Sequence, residues 1–275
     1  MKKLLLLPII LIAVVALRPR PVLWVAIGDS ITYLNEHADE TGNRITKGYM
    51  TRVKEKIPGL DYINQGHNGW TSGGIAKEID NLALVKADIY SVFLGTNDWW
   101  QGRPLGSMAD YTGNTGNNTV YGSFRIIIDK LHQLNKDAKI ILITPMQRVH
   151  FVYINNKKNN AWGSYRDKNG QSLEQFAAAV KAIANYEHAG LLDLYHQKGM
   201  DMPQLVKYER LKDPATGEYK NYKYPSFIDI PFNPETDEYP YPLDAVGITY
   251  DGLHPSDEGY AIIADKLTKM IRGLL

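Results

Sequence analysis

Four short segments hold residues whose types and spacing could carry out acyl transfer. Val25-Ala-Ile-Gly-Asp-Ser30 brings a serine just past an apolar run. A serine hydroxyl is a weak nucleophile until a base takes its proton. Placed after a strand end, it would stand above a sheet with the N–H groups of a following helix pointing at the same spot. Alone, Gly-Asp-Ser reads more readily as a turn with a capping serine. Asp251-Gly-Leu-His254 supplies a base and an orienting acid three residues apart. The carboxylate would hold one ring nitrogen and leave the other for Ser30. A His-Pro pair before a helix can also be a plain cap, and His67 is a second candidate base, although no acidic partner lies near it in sequence.

Gly69 and Asn97 are candidate donors to a developing oxyanion, with the Ser30 backbone N–H as a third. Loss of one such donor typically costs about 3–4 kcal/mol of transition-state stabilisation. Each has a simpler reading, a turn-forming Asn and a flexible Gly. Trp99 and Trp100 directly follow Asn97-Asp98 and are expected to place at least one ring on the substrate pocket.

These residues need a frame. Val22 to Ile27 is a continuous apolar run, the pattern of a strand covered on both faces. Further strands are expected over 60–64, 87–94, 138–144 and 191–194. Helices are expected over 48–57, 75–84, 121–134, 173–188 and 256–274, the last opened by Pro255-Ser256. Alternation of this kind implies a parallel sheet between helical layers, and such sheets collect ligands beyond the carboxyl ends of their strands. The loops after Ile27, Asn64 and Leu94 are those that hold the unusual residues. Residues 99–119, rich in Gly and Asn, read as an ordered loop. Residues 199–249 contain seven of the 14 prolines and many aromatics, and read as an irregular insertion packed by its own side chains.

Composition narrows the classes. The 275 residues carry a net charge of +1, which leaves no basic field for nucleic acid. The absence of cysteine removes disulfides, thiolate nucleophiles and Cys-ligated metal sites. Lys2-Lys3 followed by the apolar run Leu4 to Leu17 reads as a secretory signal or an uncleaved N-terminal anchor over 1–21, hence an exported protein. Residues 22–275 then form one domain.

Gly28-Asp-Ser-Ile31, Asn64-Gln-Gly-His-Asn-Gly69, Gly95-Thr-Asn-Asp98 and Asp251-Gly-Leu-His254 resemble, in order, the four blocks of the SGNH (GDSL-type) hydrolase family. The resemblance implies a three-layer α/β/α flavodoxin-like fold with about five parallel strands. By position it implies Ser30 as nucleophile, His254 as base, Asp251 as its orienter, and Gly69 and Asn97 as oxyanion donors, with no metal or organic cofactor. The expected substrate is an acyl ester, with acetyl on a carbohydrate favoured by the aromatics around the site. Other readings are a lipase or lysophospholipase, a non-catalytic carbohydrate-binding protein, a phosphate-binding domain using Gly66–Gly74, and a metallo-hydrolase using Asp29, Asp251 and His254. A small-molecule or oligosaccharide ester is the expected partner. Oligomeric state is not legible in the sequence.

Overall fold

The computed structural model describes residues 20–154 and 166–275. The signal or anchor reading of the N-terminal run lies, apart from Arg20 and Pro21, outside the described residues. In chain order the elements are β1 (Val22–Gly28), α1 (Ser30–Tyr33), α2 (Tyr49–Lys56), β2 (Leu60–Gly66), α3 (Ser72–Glu78), β3 (Ile89–Phe93), α4 (Thr96–Trp100), α5 (Met108–Thr112) and α6 (Val120–Leu134). There follow β4 (Lys139–Ile143), α7 (Leu173–Tyr186), β5 (Gly190–Leu192), α8 (Met202–Leu205), β6 (Glu209–Lys212), β7 (Tyr219–Tyr222) and α9 (Asp257–Arg272).

Strands β1 to β5 form one parallel sheet in the order β2-β1-β3-β4-β5. The alternation of side chains along a strand divides its apolar residues between two cores. Trp24 and Ala26 of β1, Ile89 and Phe93 of β3, and Ile141 and Ile143 of β4 face α2 and α9, whose Tyr49, Val53, Ile263 and Leu267 cover them. Val25, Ile27, Tyr90, Val92, Ile140 and Leu142 face α3, α6 and α7, under Ile75, Phe124, Ile127, Phe176 and Val180. The result is the expected α/β/α sandwich. One polar pair lies inside it: the Trp24 indole N–H donates to the Ser91 hydroxyl at 2.9 Å, so neither group is buried without a partner.

Two expectations change. Residues 99–119 are not a single loop, because α4 and α5 occupy part of them; Ser107 and Asp110 form a capping box at the start of α5. The 199–249 segment contains α8 and the antiparallel pair β6-β7. It is packed by more than its own side chains: Leu205, Leu211, Phe227, Phe232 and Tyr241 are buried in the same core as Trp24 and Tyr49. Its aromatics therefore complete the core on the α2–α9 side.

Candidate active site

The serine is placed by two glycines. Gly28 and Gly66 are register partners at the ends of β1 and β2. A Cβ on Gly66 would overlap the backbone of Tyr33, and one on Gly28 would overlap Thr32. The first turn after β1 therefore lies directly on both strand ends, which is the close approach glycine allows. Asp29 caps α1 by accepting from the Ile31 N–H at 3.0 Å, and Ser30 begins the helix.

The candidate base arrives from the other end of the chain. His254 Nε2 lies 2.8 Å from Ser30 Oγ, and its Nδ1 lies 2.7 Å from Asp251 Oδ2. The other carboxylate oxygen of Asp251 accepts from the backbone N–H groups of Leu253 (3.1 Å) and His254 (2.7 Å). Both oxygens are thus committed to holding the imidazole. The turn depends on Gly252, at φ +88°, where a Cβ would overlap the His150 carbonyl. That close contact belongs to a clasp: Val149 N–H donates to the Gly252 carbonyl at 3.0 Å and Val152 N–H to the Asp251 carbonyl at 3.3 Å. The clasp is braced from the insertion, where Tyr241 donates to the His150 carbonyl at 2.6 Å and buried Glu209 pairs with His150 Nδ1 at 3.2 Å.

Asn97 sits between the nucleophile loop and the second glycine loop. Its Nδ2 donates to the Trp70 carbonyl at 3.1 Å and lies 3.5 Å from Asp29 Oδ2. Its two amide protons thus serve the Trp70 carbonyl and, over a longer bond, the Asp29 carboxylate. Gly69 is exposed at φ +73° with open space where a Cβ would stand; backbone conformation, not room, calls for glycine there. Its carbonyl is held by Gln101 Nε2 at 2.9 Å, which fixes the plane of the Gly69–Trp70 peptide. Asp98 is wholly buried, accepting from the N–H and hydroxyl of Ser72 at 2.8 and 2.7 Å, and so joins the starts of α3 and α4.

The tryptophan pair divides. Trp99 is buried in the core under α6 and α7, its indole N–H donating to the Gln171 carbonyl at 3.1 Å, so it does not line the site. Adjacent helical residues point about 100° apart, and it is Trp100 that stays half-exposed, its ring edge-on to Phe151 at 6.0 Å. His67 stacks on Trp70 with centroids 4.4 Å apart, and its buried Nε2 has no hydrogen-bond partner; the Ser30 hydroxyl is taken by His254. The rings beside the base are Phe151, Tyr153 and Tyr250, at 5.2, 6.0 and 5.8 Å from the His254 ring. None of these three was singled out by motif. Phe151 and Tyr153 lie in the loop after β4, and the strand-end rule, applied to that loop as well, would have drawn attention to it.

Burial pushes the Asp29 carboxyl up to about 6, with the Ile31 N–H and His254 pulling the other way. The sign for stability follows. Between pH 4 and 6 the folded state holds a proton that the unfolded chain has lost, so stability falls as pH rises through that window. Asp29→Asn keeps a cap oxygen and removes the charge. Urea unfolding of both proteins is expected to show the variant gaining on the parent from pH 4 to 6, by up to about 3 kcal/mol, then levelling. A difference independent of pH would refute this.

A serine, an imidazole and a carboxylate are joined in one hydrogen-bonded line at the carboxyl end of a parallel sheet. The GDSL-like lipase/acylhydrolase family model matches residues 26–262. The chain belongs to this family. Among solved structures, a possible lipase from Chitinophaga pinensis DSM 2588 is 65% identical, covers 92% of this chain and 98% of its own, and superposes with a TM-score of 0.90. The acetyl xylan esterase AlAXEase is 18% identical over 91% of this chain and 100% of its own, TM-score 0.53. A Lactobacillus plantarum protein is 20% identical over 94% of this chain and 100% of its own, TM-score 0.60. The last two share the fold. No curated protein matches the chain. As a GDSL acylhydrolase, this family member is read as an ester hydrolase.

Proposed function

We propose that this family member removes short acyl groups, acetyl foremost, from carbohydrate esters, with Ser30 as nucleophile. The observation that carries the chemistry is the unbroken chain from Ser30 Oγ through His254 to Asp251. Ser30 attacks the ester carbonyl while His254 Nε2 takes its proton. Asp251 holds the ring in the tautomer that can accept it and stabilises the imidazolium that results. The oxyanion would receive the Ser30 and Gly69 N–H groups and the Asn97 amide proton that otherwise makes the long bond to Asp29. His254 returns the proton to the leaving alcohol, and water then releases the acid by the same route in reverse. The groups that a metal-based reading would use are engaged: both His254 nitrogens are bonded, and Asp29 caps α1.

The walls around the site favour a sugar over a lipid tail. A shallow cavity of about 300 Å³ adjoins Gly69, lined by Trp70, Thr71, Lys77, Glu78 and Gln101. An indole flanked by polar and charged side chains suits a hydroxylated ring, whereas an acyl channel needs a run of aliphatic residues. The basic and apolar N-terminal run supports an exported setting for such an enzyme. The competing lipase reading has the description of the Chitinophaga pinensis relative in its favour.

Initial rates on p-nitrophenyl acetate and p-nitrophenyl dodecanoate, together with acetate release from acetylated xylo-oligosaccharides, separate the two. The acetate ester is expected to react at least about tenfold faster, a difference of some 1.4 kcal/mol in the barrier, with acetate freed from the oligosaccharide. Preference for the dodecanoate would assign the site to lipids.

A further inference from the structure

Arg148 has no place in the acyl-transfer scheme, yet it is 4% exposed and lies beside it. Its guanidinium stacks on Trp100 at 4.1 Å and approaches Phe151 at 5.4 Å; Phe151 in turn packs against the catalytic imidazole. Its Nε and Nη2 are buried without a hydrogen-bond partner. Burial lowers its pKa to about 9, so it remains charged at neutral pH. A buried cation costs several kcal/mol unless a counter-charge meets it. Asp251 is close enough to be felt, but its carboxylate oxygens are bonded within the His254 turn. Arg148 also lines a cavity of about 220 Å³ shared with Gln147, Ser172, Tyr195 and Tyr224, at the same end of the sheet as the triad. Asp167, also on that wall, is solvent-exposed.

We propose that this cavity is a binding site for a carboxylate on the sugar of the substrate, so that the enzyme acts preferentially on esters of acidic glycosides such as uronosides. This rests on the carbohydrate reading above and narrows it. A planar carboxylate matches the planar fork of an arginine already stacked on an aromatic ring, giving two parallel charge-assisted bonds. The cavity volume suits one small polar group. Ser172 and the two tyrosines could hydrogen-bond the sugar hydroxyls around it, while Gln147 is held by the Tyr195 carbonyl and the Met202 N–H.

The test compares one O-acetylated methyl galacturonoside as free acid and as its methyl ester, at equal acetylation. The parent enzyme is expected to favour the free acid in kcat/KM by at least about tenfold, a range typical of a charge-assisted pair. Arg148→Met is expected to bring that ratio close to one. Because both rates come from one preparation, a general loss of activity cancels in the ratio. Equal rates with the parent enzyme, or an unchanged ratio in the variant, would overturn the proposal. Should Arg148→Met not fold, inhibition of the parent decides: galacturonate, but not galactose, is expected to inhibit p-nitrophenyl acetate hydrolysis competitively, and equal effects would overturn it. Activity on neutral sugar acetates without preference for the acid would sink this inference and leave the carbohydrate reading standing. Failure on every sugar ester, with dodecanoate favoured, would remove that reading instead.

Discussion

Replacing Ser30 with Ala is expected to lower turnover of p-nitrophenyl acetate by about 10⁴- to 10⁶-fold while leaving the unfolding transition in place. The size follows from the geometry. Oγ is the only atom in the His254 line that can attack, and without it the base has only water to activate, in a site not arranged to hold it. The fold is expected to survive because the Asp29 cap and the Gly28–Gly66 contact do not involve the hydroxyl. A fluorophosphonate probe gives the complementary reading: it should label the parent protein once, at Ser30, and leave Ser30→Ala unlabelled. Residual activity within tenfold of the parent, or labelling of the variant, would remove Ser30 from the mechanism.

Gly66→Ala is expected to damage both the fold and the rate through a single methyl. Its Cβ would meet the backbone N and Cα of Tyr33, which cannot swing aside as a side chain can. Overpacking of this kind costs about 1–3 kcal/mol, and about 3 kcal/mol corresponds to a fall in Tm of roughly 6–12 °C for a domain of this size. The relief available is for α1 to lift from the ends of β1 and β2, and α1 begins with Ser30. A shift near 1 Å in a reacting group costs about 100-fold in rate, so kcat should fall even where the protein is still folded. Gly74→Ala is the matched control for stability. It lies within α3, and its Cβ would find no neighbour closer than 3.6 Å. Equal Tm values for the two variants would show that the close approach is not a constraint.

The large features were legible because they obey periodicities. A run such as Val22 to Ile27 can satisfy two cores only as a strand covered on both sides, and the structure divides it in that way, Trp24 and Ala26 from Val25 and Ile27. Strand ends then told which loops could hold chemistry. What was hidden had no period to read. A five-residue helix such as α4 is shorter than two turns, so nothing in Thr96–Trp100 announces which indole turns inward. Phe227 and Tyr241 are spaced irregularly, and only the fold shows that they join the core on the α2–α9 side instead of packing their own loop alone. Arg148 stood in the loop after β4, outside the three loops that the motifs pointed to. An unpaired buried guanidinium is visible only when its surroundings are known.

Ser30 and His254 are 224 residues apart in the chain. On the proposed mechanism, the nucleophile, both oxyanion loops and the first four strands are made during synthesis long before the base exists. Among the described residues, the two histidines of the N-terminal part are occupied elsewhere, His37 stacked on Tyr33 and His67, of the second glycine loop, on Trp70. Hydrolysis is therefore expected to switch on in one step, when the Asp251 turn docks on the segment after β4. Catalytic activity in this protein is then a report on complete folding. A chain stalled on the ribosome before that turn emerges should be inert toward every ester around it.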